Sequence, residues 1–335
     1  MKKNLFFLMA IICTGHASFA KIWRVNNTGV PADFTTAQAA NDNASVVNGD
    51  TVHFESSATN YGGLTLSKQL VIIGSGYFLG SVATNSNPDL QANTAASTVT
   101  TLWITSGGSG SVIMGMTATS TVNIGYGGGG INNVLLRRNR FLFAPTFYTS
   151  TNIQLIQCYM DGGTLGNSGN ATNILLANNI INGYIGFDAN ASGTFQNNIF
   201  GFLPSYTLIM TSFTLRSNID IAAGVVLTTC IVENNIGNGT QFGTLNGNQA
   251  NVNMATVFLG YPAIGSNSTD GRYQLLNPGP AIGTGFGGVD CGAYGNTTAY
   301  IKSGMPDAPS IYKLSAPSIV NSNLLNVTLS TKINQ

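Results

Sequence analysis

The feature that most constrains the fold is an internal repeat of about twenty residues. Six seven-residue segments have mostly apolar residues at their second and fourth positions. They end at residues 139, 158, 179, 198, 218 and 235, so the steps are 19, 21, 19, 20 and 17 residues. Alternation with a period of two is typical of a strand with one buried face. A unit this short cannot bury that face alone, but stacked copies can, so the repeat predicts a β-solenoid.

Asparagine occupies the last position of five of the six segments, and Cys158 occupies the sixth. We expect a ladder in which each amide bonds to the equivalent side chain of the next coil. Because asparagine tolerates the left-handed backbone conformation, we also expect these residues to form the tight turns. Arg216 and Glu233 share one register and should pair across coils. The predicted ladder consists of Asn139, Asn179, Asn198, Asn218 and Asn235.

The region before the repeat predicts an N-terminal cap and further coils. Residues 35–44 predict a short helix that covers the first coil, residues 49–54 predict a turn and a strand, and residues 64–74 predict two more short strands. A body of roughly 250 residues then gives about a dozen coils. At a strand spacing of about 4.8 Å this is a rod of about 55–60 Å.

Two segments carry a resemblance to a known group. The expected helix, the strand Gly49-Asp-Thr-Val52 and the run Leu64-Thr-Leu-Ser-Lys-Gln-Leu-Val-Ile-Ile-Gly74 resemble the opening of secreted bacterial right-handed β-helix proteins, the pectin-lyase-like group. Residues 278–283 (PGPAIG) and 289–294 (VDCGAY) resemble its closing segment. The resemblance covers residues 21–295 and implies an all-β, single-stranded, right-handed parallel β-helix. It implies no single function, because the group includes lyases, hydrolases and adhesins.

The two ends of the chain differ from this body. Residues 1–20 combine two lysines, an apolar stretch and small residues, which is typical of a secretory signal peptide. We therefore expect a protein secreted by a bacterium, extracellular or at the cell surface, with no transmembrane segment. Residues 21–300 are the expected β-helix with its cap. Residues 301–335 are expected to be a C-terminal tail, either a cap or an export or attachment segment.

The sequence does not predict a catalytic set. Once residues 1–20 are removed, His53 is the one remaining histidine, and the acids of the repeat fall on different coils or registers. No carboxylate pair emerges at the roughly 5–10 Å separation that glycosidases use. We therefore predict no catalytic residues, no metal site and no cofactor, with calcium left open. The three cysteines outside the leader are expected to be unpaired: Cys158, Cys230 and Cys291.

Two groups of residues are candidates for ligand binding. Arg137, Arg138 and Arg140 could neutralise an acidic sugar or supply the base of a lyase, or they could form a solvated strand end. Tyr184 and Tyr206 are candidates for stacking on sugars. Tyr206 also shares a register with Phe147 and Phe187, and a column of aromatic residues at one register is typical of core packing.

The expected function is that of an exported, non-catalytic β-helix module, associated with a cell surface and binding an extracellular polysaccharide. The alternative is a polysaccharide lyase or glycoside hydrolase. A charged fraction of 7% and a net charge of +1 give no reason to expect a nucleic-acid partner.

Overall fold

A computed structural model describes residues 20–80, 86–201, 207–221, 224–316 and 325–333. Within these ranges the regular structure is almost entirely β, with one α-helix, α1 (Ala37–Asp42), and a few short 3-10 turns. None of the helices in these ranges could span a bilayer, given their length and hydropathy. The expected signal peptide lies outside the described residues, apart from Ala20.

The strands are short and follow one another closely. The first fourteen are β1 (Ile22–Val25), β2 (Thr51–Phe54), β3 (Leu64–Leu66), β4 (Val71–Ile73), β5 (Thr98–Val99), β6 (Leu102–Ile104), β7 (Val112–Met114), β8 (Thr117–Ala118), β9 (Val122–Ile124), β10 (Ile131–Arg137), β11 (Arg140–Phe141), β12 (Thr146–Phe147), β13 (Ser150–Ile156) and β14 (Tyr159–Met160). The others are β15 (Thr164–Asn167), β16 (Ala171–Ala177), β17 (Ile180–Ile181), β18 (Tyr184–Phe187), β19 (Ala191–Gln196), β20 (Ile199–Phe200), β21 (Thr207–Thr211), β22 (Phe213–Arg216), β23 (Ile219–Asp220), β24 (Gly224–Thr228), β25 (Ile231–Glu233), β26 (Ile236–Gly237), β27 (Pro309–Ser315) and β28 (Thr328–Ile333).

These strands form a parallel β-solenoid with three sheets. Sheet 1 has ten strands in the order β1-β2-β4-β7-β10-β13-β16-β19-β22-β25, which corresponds to about nine turns. Sheet 2 runs β5-β8-β11-β14-β17-β20-β23-β26, and sheet 3 runs β3-β6-β9-β12-β15-β18-β21-β24. Each coil contributes one strand to each sheet through most of the body. The predicted fold class, with about twenty residues per coil, is confirmed.

The interior is a set of apolar columns along the rod. In sheet 1 the register aligns Leu136, Leu155 and Leu176 with Phe195 and Leu215 on successive coils, and all five side chains are buried. Burying one such side chain stabilises the fold by about 1.5–3 kcal/mol. The alternation seen in the sequence is therefore the inward face of sheet 1.

The predicted asparagine ladder is present and fully buried. From Asn198 onward, the side-chain oxygen of each ladder residue accepts from both the backbone N–H and the side-chain amide of the preceding ladder residue. For Asn179 donating to Asn198 these distances are 3.0 and 2.9 Å. The oxygens of Asn139 and Asn179 accept from Met116 N and Cys158 N. Asn248 extends the ladder by one further coil, because it accepts from Asn235 at 2.8 and 3.1 Å. Cys158 sits in the same column, and its thiol donates to Leu136 O at 3.4 Å.

The expectation that the ladder asparagines adopt the left-handed conformation is wrong. The positive φ angles, between +54° and +57°, belong to the residue directly before each ladder position. The chain turns there from a strand of sheet 1 into a strand of sheet 2, which lets the ladder side chain point inward while its predecessor points outward. These corner residues are Arg138, Gln157, Asn178, Asn197, Ser217 and Asn234.

Residues beyond the last coil run back along the outside of the rod, so the expected dozen coils is wrong. The returning segment, defined as residues 250–305, covers the outer side of sheet 2. Corner side chains hold its backbone: Asn197 Nδ2 donates to Asp290 O at 2.8 Å, and Gln157 Nε2 donates to Ala299 O at 2.6 Å. Beneath it lies an apolar row that belongs to a second buried cluster: Ile180, Ile199, Ile219 and Ile236.

The helix expected over residues 35–44 is observed at Ala37–Asp42, and it covers the open edge of β3. The Gln38 side chain accepts from Thr65 N at 2.7 Å, and the Asn41 side chain accepts from Ser67 N at 3.0 Å. A free strand edge would otherwise expose these donors to another chain. The N-terminal cap therefore satisfies the first strand of sheet 3.

The tail forms an antiparallel ribbon of β27 and β28 beside the loop between β4 and β5. Ala92 N donates to Ile311 O at 2.8 Å, and Lys332 Nζ donates to Asp89 O at 3.4 Å. At the far end of the solenoid, Phe242 packs against the core. Whether the tail also serves export or attachment stays a prediction.

Candidate functional site

The arginine cluster predicted from the sequence makes ion pairs and hydrogen bonds to other residues of the protein. The side chain of Arg138 is only 2% exposed; it pairs with Asp307 at 2.5 Å and donates to Met305 O at 2.8 Å. Arg137 also pairs with Asp307. Burial lowers the pKa of Arg138 and the neighbouring Arg137 adds to this, while Asp307 opposes both. These two arginines anchor the end of the returning segment.

Arg140 begins the next strand along the chain, β11, and also binds a carboxylate. Its guanidinium makes two hydrogen bonds to Asp161, at 2.8 and 3.0 Å, and lies 4.4 Å from the ring centroid of Phe78. Arg216 pairs with Glu233 at 2.8 Å, as the sequence predicts. Each of these cations therefore has a carboxylate partner supplied by the chain.

The two tyrosine candidates have different outcomes. Tyr184 begins β18 on sheet 3 and is 43% exposed, pairing in register with Thr164. Tyr206 lies outside the described residues. Phe147 and Phe187, which share its register in the sequence, are buried with ring centroids 5.7 Å apart, so for these two the core interpretation is confirmed.

The outer face of sheet 3 differs chemically from the other two. None of its eight strands contains Asp, Glu, Lys, Arg or His. Strands of about three residues at roughly 3.3 Å per residue make this face about 10 Å wide, and stacked coils extend it along the rod.

Over three coils in the middle of this face the outward-facing side chains are small or absent. Thr146, Gly166 and Gly186 are in register on three successive coils. A Cβ atom at Gly166 would lie 2.2 Å from the carbonyl oxygen of Gly186, so no larger residue fits there. The floor of the face, defined as Thr146, Gly166 and Gly186, therefore consists of backbone and one small polar group. On the next two coils the same column carries the exposed apolar side chains of Ile209 and Val226.

Aromatic side chains lie beside this floor: Trp103 stands in the same column two coils before Thr146, and Tyr126 and Tyr148 follow the ends of their strands. The ring centroids of Trp103 and Tyr126 are 5.0 Å apart, and those of Tyr126 and Tyr148 are 5.3 Å apart. Tyr126 is 40% exposed. These three residues, the aromatic strip, come from three successive coils. The sequence interpretation missed them, yet their steps of 23 and 22 residues are close to the coil length.

The opposite side of the floor carries two more exposed rings. Phe143 precedes β12 and is 54% exposed, and Tyr184 begins β18. Phe143 also lines a hollow of about 310 Å³ with Thr146 and Thr164. Because parallel strands place all their starts on one side, these rings lie on the opposite side of the floor from Tyr126 and Tyr148.

A larger cleft of about 790 Å³ lies between the first coils and the ribbon. His53 and Glu55 line it, and burial lowers the pKa of His53 although Glu55 opposes this. Glu55 is the one acid in its lining; it accepts from Arg24 Nε at 2.6 Å and from Asn26 Nδ2 at 2.6 Å. The lining thus supplies a single carboxylate, which is already hydrogen-bonded to other side chains, whereas glycosidases use two.

In the described part of the chain, no group of three or more His, Cys, Asp or Glu residues is arranged to hold a metal ion. The three cysteines there are unpaired. Burial raises the pKa of Cys158 to about 12 and that of Cys291 to about 11, which keeps both thiols protonated. No family model matches the chain, and no curated protein or solved structure is detectably similar to it.

Proposed function

We propose that the protein is an exported, non-catalytic module that binds polysaccharide along the outer face of sheet 3. The observation that carries this proposal is the uncharged floor with exposed aromatic rings on both sides. A sugar ring has an apolar C–H face and a rim of hydroxyls. Aromatic side chains such as Tyr126 offer an apolar surface together with a polar group, which suits both parts of the ring.

The shape of the face also supports a polymeric ligand. Equivalent positions recur on successive coils about 4.8 Å apart, so a chain lying along the rod meets similar groups repeatedly. Export is supported by residues 1–20, whose pattern is that of a signal peptide. Membership of the pectin-lyase-like group of secreted bacterial proteins is part of the same proposal and is supported by the segments quoted above.

The proposal is tested by affinity electrophoresis of residues 21–335 in gels that contain different polysaccharides. Tyr126→Ala and Tyr184→Ala should each weaken retention about five-fold, the effect of losing about 1 kcal/mol of stacking. Phe286→Ala is the matched control, because Phe286 is an equally exposed aromatic on the returning segment. Circular dichroism of each variant establishes that the fold is intact.

Three results would contradict the proposal. The first is a lack of retention on every polysaccharide. The second is equal weakening by the control variant, which would place the contact elsewhere. The third is the release of unsaturated products or new reducing ends, which would show a lyase or hydrolase and overturn the non-catalytic part.

A further inference from the structure

We infer that the ligand of the sheet 3 face is an electrically neutral polysaccharide rather than a uronic-acid or sulfated one. This inference rests on the proposed function and specifies the class of polymer. It is carried by the distribution of charge over the molecule. A polyanion must give up hydration on binding, and only nearby cations compensate for that loss.

The cations of the described residues lie away from this face. Five of the six arginines are in ion pairs: Arg24, Arg137, Arg138, Arg140 and Arg216. The lysine closest in sequence to a sheet 3 strand is Lys68, two residues after β3. It donates to Asn43 O and Val46 O, both at 2.8 Å. Recruiting any of these groups to a polyanion would break the contacts that it makes within the protein.

The charged group closest in sequence to the later sheet 3 strands is negative. Asp188 directly follows β18 and is exposed. Its carboxylate accepts from Asn167 Nδ2 at 2.7 Å and from Asn190 N at 2.8 Å. These hydrogen bonds lower the pKa of Asp188, and the bond from the Asn167 side chain has the largest effect. The carboxylate is therefore ionised at neutral pH. Asp188 lies at the same end of the sheet 3 strands as Tyr148. Its negative charge therefore repels a polyanion bound at that end.

A neutral polymer has no ionic hydration to lose on binding, so it needs no cations on this face. Its hydroxyls pair with uncharged partners such as Thr146 and Thr164, and its ring faces stack on Tyr126 and Phe143. None of these contacts involves a net charge, so binding should hardly depend on ionic strength. Binding of a polyanion through cations would fall steeply as salt is added.

The test compares the mature protein in gels containing hydroxyethylcellulose, xylan, polygalacturonate or alginate, each at low and high sodium chloride. We expect retention on at least one neutral polymer, with less than a two-fold change between the salt conditions, and none on the two polyanions. Salt-sensitive retention on polygalacturonate or alginate would overturn the inference while leaving polysaccharide binding intact. Retention on none of the four would refute the proposed function itself.

Two variants tie the selectivity to this face. Asp188→Lys adds a cation beside the floor and should create salt-sensitive retention on polygalacturonate, whereas Asp188→Asn should leave retention on the neutral polymer within two-fold of the parent. If Asp188→Lys is folded by circular dichroism and gains no retention on the polyanion, the face is not the binding surface and the inference fails.

Discussion

Replacing Asn198 with alanine should remove about 4 kcal/mol from the free energy of unfolding. The Asn198 side chain makes four hydrogen bonds in a fully buried position. Its oxygen accepts from Asn179 N at 3.0 Å and from Asn179 Nδ2 at 2.9 Å. Its amide donates to Leu176 O at 2.9 Å and to Asn218 Oδ1 at 3.0 Å. Each such bond contributes about 1 kcal/mol net, and water cannot replace the lost partner inside the rod.

A loss of this size is large, because whole domains are stable by only about 5–15 kcal/mol. The assay is equilibrium unfolding in guanidinium chloride, followed by far-ultraviolet circular dichroism. Asn132→Ala is the control: Asn132 is exposed, and its side chain accepts one bond, from Asn133. We expect the control to change stability by less than about 0.5 kcal/mol. A loss below about 1 kcal/mol for Asn198→Ala would refute the view that the ladder amides are saturated and dry.

Three further outcomes depend on single contacts. Cys158→Asn should leave the free energy of unfolding unchanged or raise it by about 1 kcal/mol in the same assay, because it completes the amide column. Burial alone would raise the pKa of Asp50, but two backbone amides and the Trp23 indole donate to its carboxylate and lower that pKa below the ordinary value. The stabilisation is therefore present above the unfolded pKa of about 3.9 and lost as the pH falls through the folded pKa; acid should change Trp23 fluorescence there, and Asp50→Asn should abolish that step. Gly166→Ala should lower the melting temperature in a calorimetric scan, since its methyl group meets Gly186 O, and an unchanged melting temperature would contradict the packing of sheet 3.

The coils were predictable because their signal is local and repeated. Leu136 and Leu155 lie 19 residues apart in the sequence and are direct neighbours in sheet 1. Every further coil shows the same spacing again, which strengthens the prediction. The sequence pattern predicts the left-handed conformation one residue too late, because asparagine is only one of several residue types at the corner. Arg138, Gln157 and Ser217 hold the same positive φ as Asn178.

The returning segment was less predictable because it has no period. Its contacts join residues far apart in the chain, as when Asn178 Nδ2 donates to Ala293 O across 115 positions. The same contacts explain why the arginine cluster looked like a ligand site. Arg138 has a carboxylate partner, Asp307, that lies 169 positions away. Sequence alone shows three cations within four residues, and only the fold supplies their counter-charge.

The three outer faces of the solenoid are therefore used differently. Sheet 2 is covered by the returning segment, which turns a row of isoleucines into a second core. Sheet 1 carries the ion pairs of Arg24 and Arg216 and ends at the corner that holds that segment. Sheet 3 has no covering segment over Phe143 or Tyr184 among the described residues and no charge in its strands. A contiguous patch of exposed apolar side chains on an uncharged and open face is typical of a binding surface. Because the solenoid repeats that chemistry at the coil spacing, a polymer gains contacts with length while a monomer cannot, and this favours a chain-like ligand.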